Sequence, residues 1–271
     1  MKLAYQISSY DVPVKDLLTS MNAGWEECFH QLSEAGYDGA EIMLRDPDTV
    51  DVALLQKLVK ETGLEIPMVC TGEIGGAGFT FSSMDDEVRA EALRRGKKCV
   101  DIAAAFGAQV NVGRLRGNLD PAHVRETEKR SVDGLRELAE YALDKNVIIA
   151  LEPVNGRSMN FILTTQDGMA LADQIHLPNF KIMIDTQHMY MEDHDLYESV
   201  HEAKDYFTYV HLAASNRLYP GSGSVLMDAP RFLDALRAAG YDGWVSMEIF
   251  QRPDARTALR RSIEYMKPLI G

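Results

Sequence analysis

The sequence predicts an α/β chain folded as a single-domain (β/α)8 barrel, the TIM-barrel architecture, and three observations carry that expectation. Short β-rich runs alternate with amphipathic helical patterns along the whole length, and eight such pairs can be counted; this is the pattern of βαβ units around a parallel sheet. Four successive strand-like runs, IIALE, KIMID, YVHL and VSMEI, each deliver an acid or an imidazole at or near their ends: Glu152, Asp185, His211 and Glu248. These residues lie 33, 26 and 37 positions apart, each close to one βα unit of roughly 30 residues. In a doubly wound open sheet, the nearest alternative, they would spread along a line, whereas in a barrel the C-terminal strand ends converge.

The elements follow in order. Leu3 to Ser8 forms the first strand, and Trp25 to Ala35 a helix that Gly36 stops, because glycine takes a positive φ without strain. Ala40 to Leu44 is the second strand; its helix, about Val52 to Thr62, gathers Leu54, Leu55, Leu58 and Val59 on one face and ends at Gly63. Ile66 to Cys70 is the third strand. Thr71 to Phe81, with Gly72, Gly75, Gly76 and Gly78, is too glycine-rich for a regular element and reads as a long loop or lid before a helix from about Asp85 to Phe106. Gln109 to Gly113 is the fourth strand, followed by the basic loop Arg114 to Gly117. Asp120 and Pro121 make an N-cap and first-turn pair for a helix running to about Lys145. Val147 to Leu151 is the fifth strand, with Thr165 to Ile175 as its helix, and Ile182 to Ile184 lies in the sixth. Tyr206 to Leu212 is the seventh, followed by a glycine-containing loop from Asn216 to Ser224. A helix from Asp228 and Pro230 to Gly240, the eighth strand from Trp244 to Ile249, and a last helix from about Asp254 to Leu269 complete the chain. No linker or low-complexity tract interrupts residues 1–271, and 46% hydrophobic content suffices for one large core, so one domain is expected.

Composition removes several classes of function. A net charge of −13 leaves no electrostatic footprint for nucleic acid or for an anionic membrane surface. The apolar run near the N-terminus is too short for a signal peptide, and none approaches the ~18 apolar residues of a membrane span, so a cytoplasmic protein is expected. Cys28, Cys70 and Cys99 are widely spaced and form no C-x-x-C pair, which argues against disulfides or a zinc-thiolate site. They read as small buried hydrophobes, with Cys70 placed to border a pocket.

Three carboxylates and an imidazole converging at a barrel mouth would repel one another without a cation, so a divalent metal is the simplest explanation for Glu152, Asp185, His211 and Glu248. One nitrogen among oxygen donors suits Mn²⁺, Mg²⁺ or Co²⁺ better than structural zinc. Singly, each of these residues is more often an ordinary hydrogen-bonded strand-end side chain. Their joint placement on consecutive strands makes the pattern specific.

On those residues the chain resembles the xylose isomerase-like barrels, and among them the ketose 3-epimerases, over essentially its whole length. The phrases EIMLRDP at Glu41 to Pro47 and SNRLYPG at Ser215 to Gly221 are most similar to the 5-keto-L-gluconate epimerases, a sugar-acid branch. The resemblance implies that Glu152, Asp185, His211 and Glu248 are the ligands of one divalent ion, Mn²⁺ before Mg²⁺ or Co²⁺. It implies that His188 and Arg217 touch the substrate, and that Glu152 and Glu248 are the catalytic pair. In that mechanism the charge of an enediolate is supported beside the metal, while one carboxylate removes a proton from one face of the carbon and the other returns one to the opposite face. One departure stands out: where many ketose 3-epimerases carry an Asn, Arg, aromatic, Glu run after the strand-five ligand, this chain has Asn155, Gly156, Arg157 and Ser158. The substrate-contacting Glu is missing, and Arg157 brings positive charge instead.

Basic residues beyond the strand ends are Arg45, Arg114, Arg116, Arg157 and Arg217. Arginine captures carboxylates in a bidentate fashion, which points to a keto-sugar acid; salt bridges to loop acids such as Asp46 or Glu73 are the competing use for Arg45 and Arg114. A phosphate could use the same arginines with the Gly221 to Ser224 loop. The expected partner is therefore a small-molecule sugar or sugar acid, with Arg45, Arg114, Arg157, Arg217, His188 and Asn155 as candidate contacts. The same four-residue set is compatible with aldose–ketose or hydroxypyruvate isomerisation and with inosose- or dehydroshikimate-type dehydration. A metal-dependent endonuclease would need more histidine ligands and a basic face. A non-catalytic sugar-binding protein would not need carboxylates on both faces of the carbon. Aromatic and methionine residues in the late loops, such as Met189, Tyr190, Met191 and Tyr219, leave room for a homo-oligomer contact, although core packing is their ordinary fate.

Overall fold

Successive strand residues point to opposite sides of a sheet, and in this chain that alternation divides each strand into a helix-facing and a barrel-facing set. Ile149 and Leu151, Ile182 and Ile184, Val210 and Leu212, and Val245 and Met247 join one large hydrophobic core shared with the helices. On the alternate positions, Ala150, Met183 and Tyr209 form a small separate cluster with Met68 inside the barrel. One step further along the same inward rows come Glu152, Asp185 and His211. The strand pattern that buries the apolar core therefore carries the polar residues to the barrel mouth.

The computed structural model describes residues 1–223 and 227–270; Ser224, named in the phosphate alternative, lies outside the described residues. The strands are β1 (Lys2–Ser8), β2 (Gly39–Met43), β3 (Met68–Cys70), β4 (Gln109–Val112), β5 (Ile149–Leu151), β6 (Phe180–Asp185), β7 (Phe207–Leu212) and β8 (Trp244–Met247). They pair in sequence order into a closed barrel. Every pairing is parallel, and β1 closes on β8 with Lys2 opposite Trp244. The expected (β/α)8 barrel is thus observed.

The helices are α1 (Trp25–Ala35), α2 (Val52–Thr62), α3 (Gly72–Gly76), α4 (Asp86–Ala104), α5 (Val124–Leu143), α6 (Thr165–Ile175), α7 (Thr186–Glu192), α8 (Leu196–Glu202), α9 (Ala229–Ala238) and α10 (Ala255–Ile270). Gly36 and Gly63 take left-handed conformations at the ends of α1 and α2, as expected. Three boundaries depart from the sequence reading for identifiable reasons. The glycine-rich segment starts with the one-turn helix α3 rather than a continuous loop. α5 begins at Val124, because Asp120 closes its own turn by accepting from the backbone N–H groups of Ala122 and His123. Two short helices, α7 and α8, fill the segment after β6, to which the sequence reading assigned no helix.

Candidate metal centre and active site

Asp185 is both the last residue of β6 and the N-cap of α7. Its Oδ1 accepts the amide N–H groups of Gln187 (2.7 Å) and His188 (3.1 Å), which satisfies donors that every helix start leaves free. Those bonds fix the carboxylate and leave Oδ2 for the barrel mouth. There it meets Glu152 from the end of β5, His211 of β7 and Glu248 just past β8: one ligand atom from each of the four lies within 4.8 Å of all the others. His211 Nδ1 is 3.0 Å from Glu248 Oε2, 3.4 Å from Glu152 Oε1 and 3.7 Å from Asp185 Oδ2. Among the described residues Glu152 Oε1, Asp185 Oδ2 and His211 Nδ1 are buried without a hydrogen bond, although Oδ2 lies 3.1 Å from Arg217 Nη1. Buried polar atoms are ordinarily paired, so three orphans converging with a fourth donor have the composition and spacing that a divalent cation would satisfy.

Each member is held from behind. Asn111 Nδ2 donates to Glu152 Oε2 at 3.0 Å, and Arg116 Nη1 donates to the Glu152 carbonyl at 2.8 Å. Thr19 Oγ1 lies 3.1 Å from Glu248 Oε1. His211 Nε2 is 2.9 Å from both oxygens of Glu41, a fully buried carboxylate on β2. Arg217 reaches in between, with Nη1 at 3.1 Å from Asp185 Oδ1 and Nη2 in contact with Glu248 Oε2. Its backbone is left-handed at φ 60°, a conformation that costs a non-glycine residue about 1–2 kcal/mol and that sits here at the site itself.

The electrostatics follow from this packing. Burial opposes ionisation of Asp185, but Arg217 and His188 outweigh it and hold its carboxyl well below the usual range. Burial likewise opposes ionisation of Glu248, and Arg217 with His211 brings its pKa down to about 2. For His211 burial disfavours the charge, yet Glu41 and Glu248 prevail and keep the imidazole well above its ordinary value.

A cavity of about 690 Å³ opens above the cluster, with Glu152 and Glu248 in its wall. Of the candidate contacts, Asn155, His188, Arg114, Arg157 and Arg217 line it, and Cys70 borders it; Arg45 is not among the lining residues. His188 Nδ1 is 2.7 Å from Asn155 Nδ2 and its Nε2 is 3.8 Å from Glu152 Oε1. Arg45 and Arg114 share Glu73, at 3.5 and 2.6 Å. Arg116 is fully buried away from the cavity. All three cysteines are buried thiols. The sequence reading missed Glu41, Asn111 and Thr19 as supports and Lys15 as a basic residue lining the cavity. A signal for Glu41 existed: an acid inside the apolar strand GAEIM, at an inward position in register with Gln6.

Residues 29–269 match the family model of the xylose isomerase-like TIM barrel. An L-ribulose 3-epimerase of Methylomonas sp. (strain DH-1) is 33% identical, over 84% of this chain and 79% of the relative. A 3-dehydro-D-guloside 4-epimerase of Escherichia coli (strain K12) is 28% identical, over 89% of this chain and 93% of its own length. Among solved structures, the D-allulose 3-epimerase from Methylomonas sp. in complex with D-allulose superposes with a TM-score of 0.83 at 27% identity, covering 99% of this chain and 96% of that one.

Proposed function

The chain belongs to the xylose isomerase-like TIM barrel family, among its ketose 3-epimerases, and on that footing we propose that it is a divalent-metal-dependent epimerase inverting the carbon beside a sugar ketone. The observation that carries this reading is the convergence of Glu152 and Glu248, from strands three apart around the barrel, on one point shared with Asp185 and His211. Glu152, Asp185, His211 and Glu248 would hold the cation, with Mn²⁺ favoured over Mg²⁺ and Co²⁺ for one nitrogen among oxygens. When bound, the cation supplies Lewis-acid stabilisation of the negative charge that develops on the carbonyl oxygen.

The chain's own residues do the rest. One of Glu152 and Glu248 removes the proton of the carbon beside the ketone, and the other delivers a proton to the opposite face. His188, with Nε2 toward Glu152 and Nδ1 tied to Asn155, is placed to hold a substrate oxygen. Arg217 is placed to do the same while keeping Asp185 ionised.

The substrate we propose is a keto-sugar acid of the 5-keto-L-gluconate or D-tagaturonate type. Lys15 and Arg157 line the cavity, and neither has an ion-pair partner among the described residues, while Arg114 and Arg45 have one acid, Glu73, between them. A surplus of cations above a floor of carboxylates suits a substrate whose anionic end faces outward. A neutral ketose epimerised at C3 is the second reading, supported by the names of the relatives.

The test is incubation of the Mn²⁺-loaded enzyme in deuterated water with neutral ketoses, ketohexonates and ketose phosphates, followed by mass spectrometry and product identification. The expected result is an inverted product carrying one solvent deuteron, formed fastest from a ketohexonate, and none from Glu152→Gln or Glu248→Gln, although both retain metal. Equal rates on neutral sugars would remove the sugar-acid assignment. Full activity in either variant would remove the two-carboxylate assignment, and an aldose or a dehydrated product would replace epimerisation with isomerisation or dehydration.

A further inference from the structure

We propose that Glu41 is a positioning residue for the metal centre: it presents His211 through Nδ1, and Gln6 and Thr19 extend its hydrogen-bond chain around to Glu248. The inference rests on reading the four-residue cluster as a metal site. Its starting point is the two edges of the His211 ring. Nε2 sits between both oxygens of Glu41, at 2.9 Å from each, while Nδ1 on the other edge faces Glu152, Asp185 and Glu248. A carboxylate only accepts hydrogen bonds, so Nε2 carries the hydrogen and the lone pair of the neutral ring falls on Nδ1. The partner on one edge of the ring thus selects the atom offered on the other.

Glu41 is itself held in place. Its Cα is paired in register with that of Gln6 across β1 and β2, and Gln6 Nε2 donates to Glu41 Oε1 at 2.9 Å. Glu41 orients the Gln6 amide by accepting from its Nε2. The amide oxygen then lies 3.1 Å from Thr19 Oγ1, whose single hydroxyl hydrogen is shared between that oxygen and Glu248 Oε1, also at 3.1 Å. The path His211, Glu41, Gln6, Thr19, Glu248 therefore runs round one side of the cluster behind the ligands. Glu41 is fully buried and does not line the cavity, which separates it from any direct contact with substrate. A carboxylate this deep that served only packing would be replaceable by an apolar residue of similar volume at no loss.

The experiment is calorimetric titration of metal-stripped protein with Mn²⁺, alongside the melting temperature of the same metal-free samples. Glu41→Leu is expected to weaken Mn²⁺ binding about 10- to 100-fold. Glu41→Gln, which still offers His211 an oxygen, should weaken it less, and Gln6→Leu, which touches no ligand, should shift it in the same direction by a smaller factor. Metal-free Glu41→Gln loses the charge that faces His211 and should melt lower than wild type, so affinities are compared at a temperature where every metal-free sample is fully folded. A purely structural role would leave the affinity of the folded variant unchanged. Mn²⁺ binding unchanged in both Glu41 variants would overturn the inference while leaving the metal site intact. So would a loss of affinity that merely follows a loss of fold in the metal-free samples. Absence of binding by the wild type would instead overturn the metal reading, and this inference with it.

Discussion

Arg116 shows how far a single side chain governs the site without entering it. Its guanidinium is fully buried and donates to the carbonyls of Gly113, Glu152, Phe161 and Ile162, with no carboxylate among its hydrogen-bond partners in the described residues. Burial accordingly pulls its pKa down to about 10. One guanidinium thus fixes the backbone of a proposed catalytic residue to a segment in which Ile162 adopts φ 57°. Removing it strands several buried acceptors, each costing about 1–3 kcal/mol. Arg116→Met should therefore lose at least about 3 kcal/mol, read as a lower midpoint in urea, and a variant as stable as wild type would contradict the clamp. The sequence placed Arg116 among the cations beyond the strand ends, since nothing local distinguishes a buried guanidinium from one facing a cavity. Glu152, Asp185, His211 and Glu248 were legible because each stands at or near the end of a short apolar strand-like run. Glu41 was marked only as an acid inside an apolar strand, and its part was not legible because it depends on contact with His211, 170 positions away.

At the scale of elements, α4 is tied to the turn after β2 by charge. Arg94 and Arg95 both donate to Glu91, and Arg94 also reaches both oxygens of Asp48. The hydrogen bond from Arg94, opposed by partial burial and helped by Arg95, takes the Glu91 pKa down to about 2. A folded pKa below the unfolded one means that the stabilisation is complete above about pH 4.5 and is lost as pH falls through about 2. The melting-temperature gap between wild type and Glu91→Gln should thus be full at pH 7, narrow below pH 4.5 and vanish near pH 2. With the Glu91 side chain 30% exposed, solvent screening limits the contribution to about 1 kcal/mol or less. A gap independent of pH would rule out the ion pairs as its source. The same neighbourhood explains why α3 was read as loop. A Cβ on Gly75 would lie 2.5 Å from the Arg114 carbonyl carbon, so this glycine permits backbone to pack on backbone, and composition alone does not separate that use from flexibility. α7 and α8 escaped notice for another reason: each is only 7 residues long, too short for helical periodicity to register.

For the whole molecule, the barrel was legible because alternation of strand and helix signals over eight units leaves few parallel arrangements, and the spacing of four polar strand ends favoured closure over an open sheet. Closure has an energetic consequence. It brings Glu152, Asp185 and Glu248 together with a fourth carboxylate, Glu41, behind them, in a chain whose net charge is already −13. The cations within that group are His211 and Arg217. A divalent ion that binds the folded barrel and not the separated strands must therefore stabilise the whole fold. At a free concentration 100 times its dissociation constant, linkage gives about 2.7 kcal/mol, or roughly 5 °C for a domain of this size. Scanning calorimetry after chelation and during Mn²⁺ titration should show the melting temperature rising with the logarithm of metal concentration. Asp185→Asn also alters the cap of α7 and so has a different starting stability, but its metal-induced rise should be nearly abolished. A wild-type melting temperature indifferent to both chelator and Mn²⁺ would mean that the three orphaned donor atoms at the barrel mouth await something other than a cation.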